Sequence, residues 1–151
     1  MKSKIKGVVI MAAALLPLVA AARSAPASSG RPQFWNEGPC FWMDGSRMSN
    51  GGPGCSGRKS FEIPLVVDSA GPKTVEVTAQ GATPSNNVCC QAVGAFRDGT
   101  ALGVSGRVCL SVFGPPQVIT LVGAFVPSAG YLYVNCLVDL NGWVDSVNYT
   151  P

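Results

Sequence analysis

The stretch NNVCCQAVGAFRDGTALGVSGRVCLSV, residues 86–112, places two adjacent cysteines in an apolar run and a third cysteine after a short turn. Successive side chains of a β-strand point to opposite faces of the sheet, so Cys89 and Cys90 need separate partners. The row of alternate residues from Val88 through Cys90 to Phe96 is wholly apolar. Cys90 is therefore predicted to face the core, and Cys89 the outer face.

The turn Asp98-Gly99-Thr100 predicts a hairpin, because three-residue hairpin loops commonly place Gly at positive φ. This loop sets Cys89 opposite Cys109 and predicts a Cys89–Cys109 disulfide. A slip of one residue would turn the apolar row toward water, so the register is well specified. The residues that the same register turns inward on the second strand are Val108, Leu110 and Val112.

The other two disulfides follow from the remaining cysteines. In GYLYVNCLVDL, residues 130–140, every second residue from Leu132 to Val138 is apolar, and this inward row includes Cys136. Cys136 is therefore predicted to bond with Cys90. Cys40 and Cys55 are left as a third pair that closes a local loop. We expect the Cα atoms of each pair to lie about 4.4–6.8 Å apart.

The rest of the chain predicts an all-β fold. After residue 22 no stripe with helical spacing occurs, whereas runs rich in β-branched and aromatic residues alternate with Gly, Pro, Asp and Asn. Short strands joined by turns favour one antiparallel β-sandwich over a small barrel. The seven candidate strands are residues 61–67, 73–79, 87–96, 107–113, 117–126, 131–138 and 143–150.

The N-terminus has the pattern of a secretory signal peptide. Lys2, Lys4 and Lys6 precede an apolar run over residues 7–19, and Ala20–Ala22 supplies a cleavage signal of small residues. The run is too short for a spanning helix, which needs about 20 residues. We therefore expect a secreted or periplasmic protein with no membrane span after cleavage. The predicted divisions are a signal peptide (1–22), an irregular Gly/Pro/Ser-rich lead-in with the Cys40–Cys55 loop (23–59) and the β-sandwich domain (60–151).

Charge gives no sign of a nucleic-acid partner. Three of the eleven basic residues lie in the signal peptide, which leaves eight basic against eight acidic residues. Nucleic-acid binding requires a clustered basic face, and the mature chain has no run of like charges. The sequence therefore predicts a partner of another class.

Catalytic motifs are weak. The chain has no histidine, which excludes Ser-His-Asp and Cys-His arrangements. Six cysteines in an exported chain indicate disulfides rather than zinc ligands or thiolate nucleophiles. Ser56 and Lys59 formally match the S-x-x-K of serine acyl-enzymes, but they follow a Gly-rich loop instead of lying on a helix. We read Arg58 and Lys59 as solvated charges.

Paired carboxylates keep a second class open, a small secreted hydrolase. Glu37 and Asp44 flank Cys40, while Asp139 and Asp145 flank the last turn. Acids beside turns mostly serve turn formation and solubility. The Asp139 and Asn141 pattern also lacks the full spacing of a calcium loop. We therefore predict no metal, no cofactor and no enzymatic activity.

An aromatic cluster beside the Cys40–Cys55 loop is the strongest candidate for a binding site. The segment FWNEGPCFWMDG repeats the Phe-Trp pair, and large amphipathic rings dominate many interfaces. Exposed, these rings could stack on sugars or anchor an extracellular protein; buried, they would cover one end of the sandwich or the disulfide. The predicted function is a small exported binding or surface protein that presents this loop to a glycan or protein. The candidate binding residues are Phe34, Trp35, Phe41, Trp42 and Asp44.

Overall fold

The computed structural model describes residues 23–150, so the predicted signal peptide lies outside the described residues. Nearly all of the regular structure is β-strand, with three short 3-10 turns. In the part of the chain that the structure describes, no helix is long and apolar enough to cross a membrane. The strands are β1 (Arg23–Pro26), β2 (Arg31–Pro32), β3 (Phe41–Asp44), β4 (Arg47–Asn50), β5 (Lys59–Leu65), β6 (Gly71–Gln80), β7 (Val88–Ala95), β8 (Ala101–Val104), β9 (Val108–Cys109), β10 (Gln117–Val126), β11 (Tyr131–Val138) and β12 (Trp143–Thr150).

The strands form two antiparallel sheets that face each other, which confirms the predicted sandwich. Sheet A has the order β10-β6-β12-β4-β3, with β1 also paired to β12. Sheet B has the order β2-β5-β11-β7-β8, with β9 also paired to β7. The two sheets pack through their inward rows, as period-two alternation requires.

The core follows that alternation closely. On β11, Leu132, Val134, Cys136 and Val138 are buried, with exposed fractions of at most 1%. On β6, Val75, Val77 and Ala79 are fully buried between more exposed neighbours. β6 and β10 thus cover the core with one face and present the other to solvent, whereas β7 is buried on both faces.

The predicted strands over residues 117–126, 131–138 and 143–150 are β10, β11 and β12 with the same bounds. The segment 23–59 is more regular than its Gly, Ser and Pro content suggests. It contributes β1, β3 and β4 to sheet A and β2 to sheet B. These strands are short and contain no β-branched residue: β1, β2 and β4 pair with longer strands, and β3 pairs with β4.

The hairpin that begins at β7 differs from the expected one in its return strand. A turn forms around Asp98 and Gly99, with Gly99 at φ 89° and the Thr100 N–H donating to Asp98 Oδ1 at 2.9 Å. The loop lies one residue earlier than predicted, because Phe96 N–H donates to the Thr100 carbonyl and Ala95 pairs with Ala101. A register shift along β7 then restores the predicted pairing of Cys89 with Cys109. The return strand divides into β8 and β9, and both pair with β7. Ser105 spans the gap, since its backbone N–H donates to the Ala92 carbonyl and its Oγ accepts from Ala92 N–H.

The inward row predicted for the return strand is wrong at two of its three positions. Leu110 is buried, but Val108 is 40% exposed and Val112 is 51% exposed. The reason is that β9 is only two residues long and lies at the edge of sheet B. The pairing of β9 with β7 ends at Cys109, and of this row only Leu110 joins the core, so Val108 at the sheet edge and Val112 beyond the strand stay exposed.

Three disulfides join Cys40 with Cys55, Cys89 with Cys109 and Cys90 with Cys136, as predicted: the last two pairs follow from strand parity and the first from elimination. Cys90 and Cys136 have no exposed surface, whereas Cys89 lies on the outer face of sheet B. Their Cα separations are 5.5, 3.8 and 4.1 Å, so the second and third pairs are closer than expected. Each of these two pairs joins directly opposite residues of neighbouring strands, which brings the backbones together.

Candidate functional site

The Cys40–Cys55 loop is built around a β-hairpin. Strands β3 and β4 pair from Phe41 with Asn50 to Asp44 with Arg47. A two-residue turn joins them, and its first residue, Gly45, has φ 61°, a conformation that glycine adopts without strain. At the base, the N–H groups of Gly51 and Gly52 both donate to the Cys40 carbonyl, at 3.0 and 2.9 Å. The hairpin is thus held at its turn, its base and its disulfide.

Two tryptophans meet on the outer face of sheet A beside this hairpin. Trp42 on β3 pairs with Ser49 on β4, and Ser49 pairs in turn with Trp143 at the start of β12. This register places both indoles on the same face. Their ring centroids are 4.8 Å apart at an interplanar angle of 74°, a favourable edge-to-face arrangement. Trp42 is 45% exposed, so it is the ring of the pair with the more open surface.

Arg47 fixes the second indole in place. Its guanidinium carbon lies 4.6 Å from the centroid of the Trp143 ring, within the range of a cation–π contact. Arg47 Nε donates to Asp145 Oδ1 at 2.6 Å, and its terminal nitrogen donates to Gln80 Oε1 at 2.8 Å. The guanidinium is therefore oriented by two side chains from two different strands.

Gly51 controls where the Trp42 indole can lie. A Cβ atom at residue 51 would lie 2.8 Å from Trp42 Nε1, a distance that real Cβ atoms essentially never show. The φ of Gly51 is not in the left-handed region. The absence of a side chain at this position therefore makes room for the indole rather than relieving the backbone.

The five candidate binding residues do not form a single cluster. Phe41 points inward and packs on the core, with its ring centroid 4.8 Å from that of Phe61. Trp42 and Asp44 share the outer face of sheet A, and Asp44 is exposed. Phe34 and Trp35 lie on the preceding segment and are 53% and 93% exposed. The sequence left open whether these rings are exposed or buried, and the structure shows both: Phe41 packs on the core, whereas Phe34, Trp35 and Trp42 are exposed.

We call the outward-facing group of Trp42, Trp143, Arg47 and Gln80 the Trp42 surface. Only Trp42 is among the five candidate binding residues predicted from the sequence. The period-two pattern does indicate that Trp143 points outward, because the next residue, Val144, belongs to the inward row. Its proximity to Trp42 depends on the order β12-β4-β3 in sheet A. No local pattern in the chain specifies that order.

The arrangement does not support the Ser-Lys pair. Ser56 lies on the loop after Cys55, and Lys59 begins β5, with its Nζ 3.8 Å from a Glu37 carboxylate oxygen. Arg58 is likewise not simply solvated. It forms two bonds to the Asp139 carboxylate, at 2.8 and 3.0 Å, and the hydrogen bond to Asp139 raises the pKa of Arg58.

The four acids proposed as catalytic pairs have structural partners or lie apart. Glu37 accepts a hydrogen bond from the Ser60 backbone N–H at 3.0 Å, and Asp139 and Asp145 bind arginines. Asp44 is exposed and follows Trp42 on the hairpin. Among residues 23–150, no group of three or more His, Cys, Asp or Glu side chains is arranged to hold a metal ion.

No protein-family model matches the sequence, and no curated protein matches it either. Solved structures similar in fold include two with TM-scores above 0.5. The C-terminal CBM6 of LamC, a marine laminarinase from Zobellia galactanivorans, has a TM-score of 0.56 at 10% identity over 87% of this chain and 100% of that chain.

The second is the GH26-CBM35 β-(1,4)-mannanase of Podospora anserina, with a TM-score of 0.53 at 9% identity. The match covers 87% of this chain and 28% of the mannanase chain. At these identities the likeness concerns the fold alone. The chain has a β-sandwich fold similar to that of the LamC carbohydrate-binding module, and it contains three disulfides.

Proposed function

We propose that the protein binds a neutral oligosaccharide through the outer face of sheet A, with the Trp42–Trp143 pair as the platform. The observation that carries this proposal is the half-exposed Trp42 ring held in a defined orientation beside a fixed guanidinium. An aromatic face provides a large, rigid apolar surface for the C–H groups of a pyranose. Polar groups at its edge supply the hydrogen bonds that orient the sugar.

Arg47 is the main donor of the proposed site. Its bonds to Asp145 and Gln80 use two of the five N–H donors of a guanidinium, and the others serve the ligand. Because both protein partners are already in place, little side-chain freedom is lost when a sugar hydroxyl binds. The site is thus preorganised.

The charges of the site favour a neutral ligand over an anionic one. Arg47 is balanced by Asp145 at 2.6 Å, and Asp44 adds a further carboxylate at the strand position opposite Arg47. A uronate or sulfate group would meet this excess negative charge. Hydroxyl groups, in contrast, can donate to the carboxylates and accept from the guanidinium.

We further propose that the protein acts without catalysis and outside the cytoplasm. The acids that a hydrolase would need bind Arg47, Arg58 and Lys59, so they are not paired across a cleft. Carbohydrate-binding modules with a similar fold occur beside catalytic domains in the two enzymes named above, which supports a binding role. The three disulfides suit an oxidising compartment, in agreement with the signal peptide predicted over residues 1–22.

Replacing Trp42 by Ala should lower the affinity for whichever neutral hexasaccharide the protein binds by at least about 30-fold. This is the effect of losing an interface residue worth about 2 kcal/mol. The free energy of unfolding should fall by only about 1–2 kcal/mol. The half-exposed ring loses one aromatic contact, which is less than the roughly 3–5 kcal/mol of truncating a buried large aromatic. Calorimetric titration with laminarihexaose, mannohexaose, cellohexaose and maltohexaose measures the first quantity, and urea unfolding the second.

The variant Gly51→Ala tests the orientation of the indole without removing it. Its new Cβ displaces the Trp42 ring, so the affinity should fall while the tryptophan content and the fold are retained. Gly38→Ala is the matched control, since a Cβ there has no heavy atom within 4 Å. Unchanged affinity in both Trp42→Ala and Gly51→Ala, or a preference for oligogalacturonate over every neutral hexasaccharide, would overturn the proposed site.

A further inference from the structure

A second aromatic groove lies on the outer face of sheet B, on the opposite side of the sandwich from Trp42. It has a volume of about 580 Å³, within the usual range for small-ligand sites. The side chains that define it come from β2, β5 and β11 and from the turn before β2. They are Ser29, Arg31, Glu62, Pro64, Tyr131 and Tyr133.

Strand alternation explains why two tyrosines line this groove. Leu132 and Val134 of β11 point into the core, so Tyr131 and Tyr133 share the outer face. Their ring centroids are 6.1 Å apart, and the ring planes are within 30° of parallel. Tyr131 is 40% exposed and Tyr133 is partly buried. Two neighbouring rings with similar tilt offer a continuous apolar surface along one wall of the groove.

The polar side of the groove contains the carboxylate of Glu62 and the guanidinium of Arg31, which form a long ion pair. Glu62 lies on β5, one strand from the tyrosines, and its strand neighbour on the other side is Arg31. The closest nitrogen and oxygen of this pair are 3.9 Å apart. The Arg31 side chain is 81% exposed, whereas that of Glu62 is 19% exposed. The carboxylate is therefore the more enclosed acceptor, and the guanidinium is a largely exposed donor at the rim.

The tyrosine hydroxyls add groups that both donate and accept. Burial, followed by the proximity of Glu62 and Tyr131, raises the pKa of Tyr133. Like that of any tyrosine at neutral pH, its hydroxyl is protonated and can donate a hydrogen bond. The charges of Glu62 and Arg31 cancel, so the groove is neutral as a whole and offers an aromatic wall, one strong acceptor and several donors.

We propose that this groove is a second, independent binding site for a neutral oligosaccharide. The pyranose rings lie along Tyr131 and Tyr133, and Glu62 accepts hydrogen bonds from sugar hydroxyls. The site goes beyond the Trp42 surface and does not share a residue with it. With ligand surfaces on both outer faces, one molecule can hold two glycan chains at once.

Chemical-shift mapping distinguishes the two sites in one experiment. The disulfide-bonded protein labelled with ¹⁵N is titrated with each of the four neutral hexasaccharides, and amide shifts are followed on β3 and β12 for the first site and on β5 and β11 for the second. Shifts at both places support both proposals. Shifts confined to β3 and β12 overturn the proposal for the groove only. Shifts confined to β5 and β11 overturn the proposal for the Trp42 site only. The absence of shifts at both places overturns both proposals.

Two variants test the groove by loss of affinity. Tyr131→Ala removes an exposed ring, and Glu62→Gln retains the shape of the acceptor while removing its charge. Each should weaken the groove-site affinity at least about tenfold and leave the β3 and β12 shifts unchanged. Val112→Ala, an exposed apolar position outside both sites, is the control. If Tyr131→Ala and Glu62→Gln both bind at the groove as tightly as Val112→Ala does, the groove is not a binding site.

Discussion

Replacing Gly94 by Ala is expected to lower the free energy of unfolding by about 3 kcal/mol or more. A Cβ at this position would lie 1.9 Å from the Phe125 carbonyl oxygen and 2.5 Å from its carbonyl carbon. Both atoms belong to the backbone of β10 in the other sheet, so no side chain can rotate away. Overpacking against movable side chains costs about 1–3 kcal/mol, and here two sheets would have to separate.

The same contact explains a second glycine. Gly103 on β8 is paired with Gly94, and a Cβ there would lie 2.5 Å from Phe125 Cβ and 2.6 Å from Phe125 N. At this corner the two sheets approach each other with no side chain between them. Sheet A and sheet B are thus held together there by backbone contact rather than by interdigitated side chains.

Urea unfolding of Gly94→Ala beside Gly106→Ala tests this expectation. Gly106 is in the same hairpin, does not have a positive φ, and has no heavy atom within 4 Å of an added Cβ. Its variant should stay within about 0.5 kcal/mol of the wild type, as surface changes usually do. The expectation fails if the unfolding midpoints of the two variants agree, since the close approach of β7 and β10 would then cost nothing.

Removing the Cys90–Cys136 disulfide is expected to destabilise the protein more than removing Cys89–Cys109. The two pairs span 46 and 20 residues. Chain entropy alone assigns them about 4 and about 3 kcal/mol, a small difference in a model that is disputed. The larger difference comes from burial, because Cys90 and Cys136 are both fully buried, whereas in the second pair Cys89 is buried but Cys109 is exposed.

The double variant Cys90→Ala with Cys136→Ala leaves a cavity where two sulfur atoms were. The cost of such cavities rises by about 24 cal/mol per Å³ of residual volume, and solvent does not fill an apolar site. Cys89→Ala with Cys109→Ala opens its gap beside an exposed strand end, where water can enter. Thermal unfolding of both double variants, each checked for two intact disulfides by mass, measures the difference. A difference of only about 1 kcal/mol would mean that loop closure, not core burial, determines the contribution of these bridges, and equal stabilities would contradict the expectation.

The connectivity of the cysteines could be derived from the sequence because it depends on parity. Once residues 88–96 form a strand, Cys89 and Cys90 must face opposite sides, and the apolar rows then assign their partners. The bounds of β10, β11 and β12 were predictable for a related reason. Each is a run rich in β-branched and aromatic residues that begins after Gly or Pro and ends before Pro or Asp, so the local pattern marks both ends.

The β3–β4 hairpin was not predictable in this way. Its strands, FWMD and RMSN, contain no β-branched residue, and the surrounding Gly and Pro residues indicate an irregular loop. These strands form because β4 pairs with β12 and the Cys40–Cys55 bond closes the base. Conversely, Val108 and Val112 have the inward pattern but lie where no layer covers them, so local alternation overstated the length of the core.

Some features of the candidate site were predictable from the sequence, and others depend on the pairing of distant strands. The sequence by itself determined the fold class, the faces of the long strands and the cysteine pairs. It also indicated an aromatic cluster near Cys40, but not which of its rings are exposed. Only the tertiary structure decided that Trp42 meets Trp143, that Arg47 lies over the second ring, and that Tyr131 and Tyr133 share a groove with Glu62. Period two states which face a side chain occupies, but the strands that become its neighbours depend on pairing between distant segments. That pairing is decided by which arrangement buries all the apolar rows at once, a property of the whole chain and not of any one strand.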